Sequence, residues 1–147
     1  MAIRAQRGDH RRISGRDTER VGALSVTLFD SNILIDALNG TPEAHELIAA
    51  SPDPAISILT WMEVLVGAKN QDVESATRTF LNDFTILQLT GPIAEASVQV
   101  RRSTRLKLVD ATILATARVS GRELLTRNTK DFDASWPGVT IPYAHSR

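Results

Sequence analysis

Residues 24–40 read LSVTLFDSNILIDALNG. The apolar, β-favouring run 24–29 leads straight into Asp30, and 31–38 continues as a helix until Asn39 and Gly40 stop it. A strand that ends on an acid and turns directly into a helix is the opening of a parallel α/β arrangement. The remaining chain repeats the alternation. Thr41 caps a second helix over 41–50, with Pro42 at its first position. Residues 51–54, SPDP, read as a turn, and 55–59 as a second strand. Thr60 opens a helix to 68, a polar-faced helix covers 72–82, and 84–89 is a third strand. Gly91 and Pro92 break the chain before a long helix over 93–106. A further helix over 110–120 closes on Gly121. Residues 123–126 form a fourth strand. A short fifth, 139–141, follows the turn at Trp136, Pro137 and Gly138. Short, uniformly apolar strands between helices predict an α/β three-layer sandwich around a mainly parallel sheet of four to five strands.

The chain has 147 residues, enough for one domain with a proper core. It has no cysteine, which removes disulfides, thiolate metal sites and a cysteine nucleophile, and suits a reducing compartment. No apolar run approaches the ~20 residues of a spanning helix, and the N-terminus lacks the apolar stretch of a signal peptide. A cytoplasmic location is expected. The formal net charge is zero but unevenly spread. Residues 1–24 carry six Arg against Asp9, Asp17 and Glu19, a balance of +3, and the remainder carries −3. We read 1–24 as a basic, disordered N-terminal extension, with RNA binding by its arginines as an alternative, and 25–147 as the folded domain. A neutral chain does not hold nucleic acid by bulk charge.

Acids recur at strand ends. Asp30 follows the first strand, Glu63 lies one turn into the helix after the second, Asp110 begins a late helix, and Asn128 and Asp131 follow the fourth strand. In a parallel sheet these all reach the carboxyl edge, where such folds place their functional crevice. Clustered carboxylates raise each other's pKa unless a cation compensates. The three histidines, His10, His45 and His145, fall outside these segments, so the donor set is oxygen only. That favours Mg²⁺ or Mn²⁺ and phosphoryl chemistry by a metal-activated water.

Four segments then carry a specific resemblance. LFDSNILID (28–36), SILTWMEVLVG (57–67), LKLVDATILATA (106–117) and LLTRNTKDF (124–132) resemble, in order and spacing, the four motifs of PIN-domain ribonucleases. The compact chain resembles in particular the VapC toxins of type II toxin–antitoxin pairs, over about 25–143. The resemblance implies a PIN-like fold and a Mg²⁺- or Mn²⁺-dependent endoribonuclease acting on RNA. It also implies a VapB-like antitoxin, a homodimer, and contact with DNA only through the antitoxin. It maps the family's acids onto Asp30, Glu63 and Asp110, as catalytic groups and metal ligands. The fourth corner falls to Asn128 as a ligand or to Asp131 as an acid. Residues 1–24 depart from the pattern, since such toxins usually begin just before the first strand.

Each residue has a plainer role beside the catalytic one. Asp30 and Ser31 suit a helix cap, and Thr60 and Glu63 have the spacing of a capping box. Asp110 suits a helix dipole, and Asp131 a surface acid. Asn32, Thr60 and Thr126 are candidates to orient the carboxylates. Asp36 is expected to face solvent. Arg101, Arg105 and Arg127 are candidate RNA contacts, against the alternative of a solvated helix face. The homodimer surface is expected near the helices of 60–82. A phosphatase of the haloacid-dehalogenase type would want Asp-x-Asp where this chain has Asp30, Ser31 and Asn32, and no glycine-rich phosphate loop is present. The rival reading is a catalytically inactive PIN-like module that binds RNA or protein.

Overall fold

The computed structural model describes residues 26–144. The extension 1–24 and the start of the first expected strand lie outside the described residues. Five strands form one parallel sheet: β1 (Val26–Phe29), β2 (Asp53–Ser57), β3 (Thr85–Leu87), β4 (Glu123–Leu125) and β5 (Val139–Thr140). Six helices are described: α1 (Ser31–Leu38), α2 (Pro42–Ala50), α3 (Ile58–Val66), α4 (Gln71–Leu81), α5 (Gly91–Ser103) and α6 (Leu108–Val119). The expected α/β sandwich is present, with a sheet parallel throughout.

The strand order is β3-β2-β1-β4-β5. The chain builds outward from β1 through β2 to β3, then returns to lay β4 against the other side of β1. The strand order therefore reverses between β1 and β4, and the carboxyl ends of those two strands flank the crevice where α/β sheets place ligands.

Neighbouring residues on a strand point to opposite faces, and each face has its own core. Phe29, Ile56 and Leu125 join a cluster with Ile33, Leu34, Leu47 and Phe84 under α1 to α4. Leu28, Ala55 and Leu124 join the opposite cluster with Val100, Ile113 and Leu114 under α5 and α6. Leu28, Phe29, Leu124 and Leu125 are fully buried, each contributing roughly 1.5–3 kcal/mol. Phe29 and Phe80 each meet Phe84 edge to face. The seven consecutive residues 111–117 of α6 are all buried, so the middle of this helix is enclosed on every side, and its two threonines, Thr112 and Thr116, spend their hydroxyls on the carbonyls of Leu108 and Thr112.

Several boundaries differ from the sequence reading for local reasons. β2 begins at Asp53 rather than after an SPDP turn. Pro54 is tolerated near the strand start, where its missing N–H costs little, and Arg122 ties the strand in through the Asp53 carbonyl (2.8 Å) and carboxylate (2.7 Å). β2 then ends two residues early, because Ser57 caps α3 by accepting from Leu59 N at 3.0 Å. Thr41 precedes α2 with no side-chain capping bond. Gly121 closes α6 as expected. Its φ of +70° favours glycine, and the paired bonds Arg122 N to Ala117 O (2.8 Å) and Gly121 N to Arg118 O (3.2 Å) form a Schellman motif.

Candidate functional site

Asp30 sits where β1 turns into α1, beside the end of β4. Its own N–H still donates to Leu125 O at 3.0 Å, so its backbone is the last rung of the sheet. Its side chain is only 4% exposed. One carboxylate oxygen accepts from Ser31 N (2.8 Å) and thereby caps α1. The other accepts from the Thr126 hydroxyl (2.7 Å) and, more loosely, from Asn32 Nδ2 (3.4 Å). Burial pushes its pKa up, against those three hydrogen bonds, and the charge of Asp131 adds to the rise. The capping role and the role in a site therefore coexist, each on its own oxygen.

Glu63 lies on α3 and is more open. Its pKa is raised by burial first, then by the charges of Asp30 and Asp110, against a hydrogen bond with the Ser31 side chain. The capping box expected from Thr60 and Glu63 is absent. Ser57 caps the helix, which puts Thr60 inside it, fully buried and with no partner for its hydroxyl among the described residues. Glu63 is thus not committed to the helix start, and no hydrogen bond links Thr60 to a carboxylate.

Asp110 lies in the first turn of α6, half-buried. Burial raises its pKa most, followed by the charges of Asp30 and Asp131, against Lys107. Asp131 is exposed on the loop after β4. Asp30 thus acts by its charge on Glu63 and Asp110, and Asp131 on Asp30 and Asp110, and among the described residues Lys107 is the only cation that offsets the raised pKa values of Asp30, Glu63 and Asp110. Among the described residues no three of them stand close enough to cage one ion. The donor chemistry nevertheless fits a hard divalent cation. Its ligands would be carboxylate oxygens, and Mg²⁺ keeps several waters and needs only one or two carboxylates.

At the fourth corner Asn128 and Asp131 are bonded to each other. Asn128, read from sequence as a ligand, spends both ends of its amide on its neighbour. Its Oδ1 accepts from Asp131 N (3.2 Å) and its Nδ2 donates to Asp131 Oδ2 (3.0 Å). Asn128 N in turn donates to the Thr126 hydroxyl (3.1 Å). Thr126, fully buried, therefore joins Asp30 to the loop that carries Asp131, and Asn32 Nδ2 approaches the same hydroxyl (3.4 Å). Asn32 and Thr126 thus both reach the Asp30 carboxylate.

Arg127 differs from its expected role. Its guanidinium makes two bonds to Asp36, from Nε (2.7 Å) and Nη2 (3.1 Å), and Tyr143 OH donates to the same carboxylate (2.6 Å). Its Asp36 bonds hold its pKa above the ordinary arginine value. Burial and Asp36 push the Tyr143 phenol well up. Asp36, expected to face solvent, is instead the hub of this anchor. Arg127 N donates to Asn32 Oδ1 (3.1 Å), so the anchor reaches Asp30 through Asn32. Sequence gave no cue for this pairing, because Asp36 is separated from Arg127 and Tyr143 by more than ninety residues. Arg101 stays exposed on α5, and Arg105 lies exposed in the turn after it.

The sequence profile of the family described as PIN domain matches residues 27–134. A toxin–antitoxin complex from Klebsiella pneumoniae contains a chain 52% identical to this one, with a TM-score of 0.76, covering 81% of this chain and 99% of that one. FitAcB from Neisseria gonorrhoeae is 23% identical with a TM-score of 0.67, covering 79% of this chain and 97% of that one. VapBC2 from Rickettsia felis, bound to a DNA fragment from its promoter, is 21% identical with a TM-score of 0.62, covering 77% and 94%. These last two share the fold. The comparison with curated protein sequences returned no match.

Proposed function

Since this chain belongs to the PIN-domain family in its VapC-type form, we propose that it is a metal-dependent endoribonuclease and the toxin of a toxin–antitoxin pair. The observation that carries the reading is the acid cluster. Asp30, Glu63, Asp110 and Asp131, from four separate segments, converge on the β1/β4 crevice, and three of them have raised pKa values. A protein that used these acids only as caps or surface charges would gain nothing from bringing them together.

Asp30 and Asp110 would hold a Mg²⁺ or Mn²⁺ ion through one or two carboxylates and bound waters, with Glu63 and Asp131 reaching it through those waters. A bound divalent ion there supplies a water of low pKa and positive charge against the phosphodiester. Asp30 is the fixed member, held on both oxygens. Asp131 is the open member and is steadied by Asn128. The direct test is cleavage of RNA by the full chain with Mg²⁺ or Mn²⁺, with and without EDTA. Cleavage that persists unchanged in EDTA would refute metal dependence. No cleavage of any RNA, together with no binding of divalent ions, would leave an inactive binding module.

Asp131→Asn is expected to lower kcat/KM by about 10–100-fold, the range for groups that support a metal site. Asn128→Ala, which only loosens Asp131, should cost less. A larger loss from Asn128→Ala would reinstate Asn128 as the ligand.

A pH dependence follows from the same cluster. A carboxylate with a raised folded-state pKa favours the fold below its unfolded value, and that contribution is lost as pH rises through the folded value. In EDTA, Asp110→Asn should therefore melt increasingly higher than wild type as pH rises from about 4.5 to 7.5. Saturating Mn²⁺ should reverse the order by stabilising wild type, by about 2.7 kcal/mol at a hundredfold excess over Kd. A difference that does not vary with pH would contradict the reading.

The proposed partner is a VapB-like antitoxin, in keeping with the toxin–antitoxin complex that contains the 52% identical chain. A largely apolar groove of about 540 Å³ lies between α1, α3 and α4, lined by Ile35, Leu38, Val64 and Val73, with Glu63 also on its wall. It suits an amphipathic segment whose Arg or Lys reaches the acids. Contact with DNA would come through that partner alone. Self-association would use the exposed Met62 and Val66 on α3. The reading places the protein in the cytoplasm, and among the described residues no helix is long and apolar enough to cross a membrane.

A further inference from the structure

A second groove, of about 820 Å³, runs between the C-terminal end of α5 and the 129–136 loop. Arg102, Arg105 and Lys130 line it, together with Trp136 and Asp131. The three cations are exposed, and among the described residues none pairs with a carboxylate. Asp133 is the only other acid on the wall, and it accepts from Ser135 N at 2.8 Å. A cation in the last turn of α5 is favourable through the helix dipole. That accounts for Arg101 and Arg102 but not for Arg105 or Lys130, which lie outside any helix.

We infer that this groove carries a single strand of RNA to the acid cluster, with Arg102, Arg105 and Lys130 on its phosphates and a base stacked on Trp136. The inference rests on the nuclease reading for its substrate, and Asp131 supplies the link. That carboxylate lines the groove and also acts on Asp30 and Asp110 by its charge. The folded part of the chain is acidic overall, so an RNA must find its positive charge locally, and here it is concentrated beside the acids. The groove lies within the roughly 300–1,000 Å³ range of enclosed ligand sites, which suits a short run of strand rather than a duplex. Trp136 packs edge to face on the buried Phe132, with ring centroids 6.5 Å apart, and is thereby held as a firm platform. Stacking on such a ring requires a base already out of a helix. Arg101 does not line the groove, so Arg102 takes the place that sequence spacing gave to Arg101, and Lys130 that of Arg127.

The test uses the full chain carrying Asp30→Asn, to prevent cleavage, and a fluorescent 12-nucleotide oligouridylate with fixed Mg²⁺. Binding is measured by anisotropy at increasing salt. Arg102→Gln/Arg105→Gln/Lys130→Gln should weaken binding and flatten the log K against log salt slope by about 2, since each single-strand phosphate contact contributes roughly 0.7. Trp136→Leu should weaken binding about tenfold. Trp136→Phe, which keeps a ring on Phe132, should recover most of it. Arg101→Gln and Arg78→Gln should each change the slope by less than half of what Arg102→Gln does. The inference is overturned if the parent does not bind, if the triple variant keeps the parent's slope, or if Arg101→Gln matches Arg102→Gln. Cleavage by wild type is scored separately. Cleavage with an unchanged slope in the triple variant removes the groove and keeps the nuclease. The expected slope change without any cleavage keeps the groove as an RNA site and removes the nuclease.

Discussion

Asp30→Asn should abolish RNA cleavage while leaving the fold intact. Outer groups around a metal site typically cost about 10–100-fold when removed, and Asp30 is the acid to which such groups point. Its loss should exceed that range and bring activity below detection. The stability expectation runs the other way. Asn has nearly the same shape, its oxygen can still accept from Ser31 N, and its amide can face a Thr126 hydroxyl free to rotate. The substitution removes a buried charge whose pKa is already pushed up by burial, so the metal-free variant should melt at or above the wild-type temperature near neutral pH. RNA cleavage, growth of bacteria expressing each form, and thermal melts in EDTA together decide the matter. A variant that keeps more than a tenth of wild-type cleavage, or stays equally toxic, would show that Asp30 does not hold the reaction. One that loses activity only by unfolding would show that its cap of α1 was its whole role.

How far the sequence carried this site depends on the range of each interaction. Asp30 ends a strand, Glu63 lies on the helix that follows the second strand and Asp110 opens a helix, so the parallel order of elements let all three be read as candidates for one edge. The strand ends at Ser57 and Asp53 were each misplaced by two residues because single side-chain bonds set them: Ser57 to Leu59 N, and Arg122 to Asp53. The Thr60–Glu63 spacing matched a capping box, yet Ser57 three residues earlier took the cap. Spacing alone cannot decide between two hydroxyl residues three positions apart. The choice between Asn128 and Asp131 was equally closed to sequence. Both lie on one short loop, and only the geometry of their mutual bonds shows that one side chain is spent holding the other.

The acids are also not equally rigid, which bears on how such a site could work. Asp30 is fixed by a backbone N–H and the Thr126 hydroxyl, with Asn32 nearby. Asp131 is exposed on a loop tied inward by Asn128 and Thr126 and by the buried Phe132 beside it. A buried, doubly bonded acid defines where an ion sits, whereas an exposed one is open to the substrate. Thr126 lies at the centre of both arrangements. It has no chemistry of its own to perform, and its value is that one buried hydroxyl donates to Asp30 while accepting from the loop of Asp131.

The largest stability loss should come from a residue outside the acid cluster. Asp36→Ala should destabilise the protein by about 3 kcal/mol, at the lower end of the cost of breaking a buried ion pair, because both partners keep some solvent contact. Asp36 and Arg127 are 14% and 18% exposed, so the pair is mostly but not wholly shielded. Removing the carboxylate leaves the Arg127 guanidinium with its charge unpaired and the Tyr143 hydroxyl without its acceptor. For a domain of this size the loss corresponds to a fall in Tm on the order of 10 °C. Tyr143→Phe removes one hydrogen bond and leaves the ion pair, so it should cost only about 1 kcal/mol. The effect should also reach the reaction. Arg127 N holds Asn32 Oδ1, and Asn32 Nδ2 lies beside Asp30, so activity measured well below the variant's Tm should fall by up to about tenfold, through kcat more than KM. An Asp36→Ala protein as stable as wild type would mean that Arg127 finds solvent or another acid at no cost. One that is destabilised but fully active at low temperature would separate the anchor from the site.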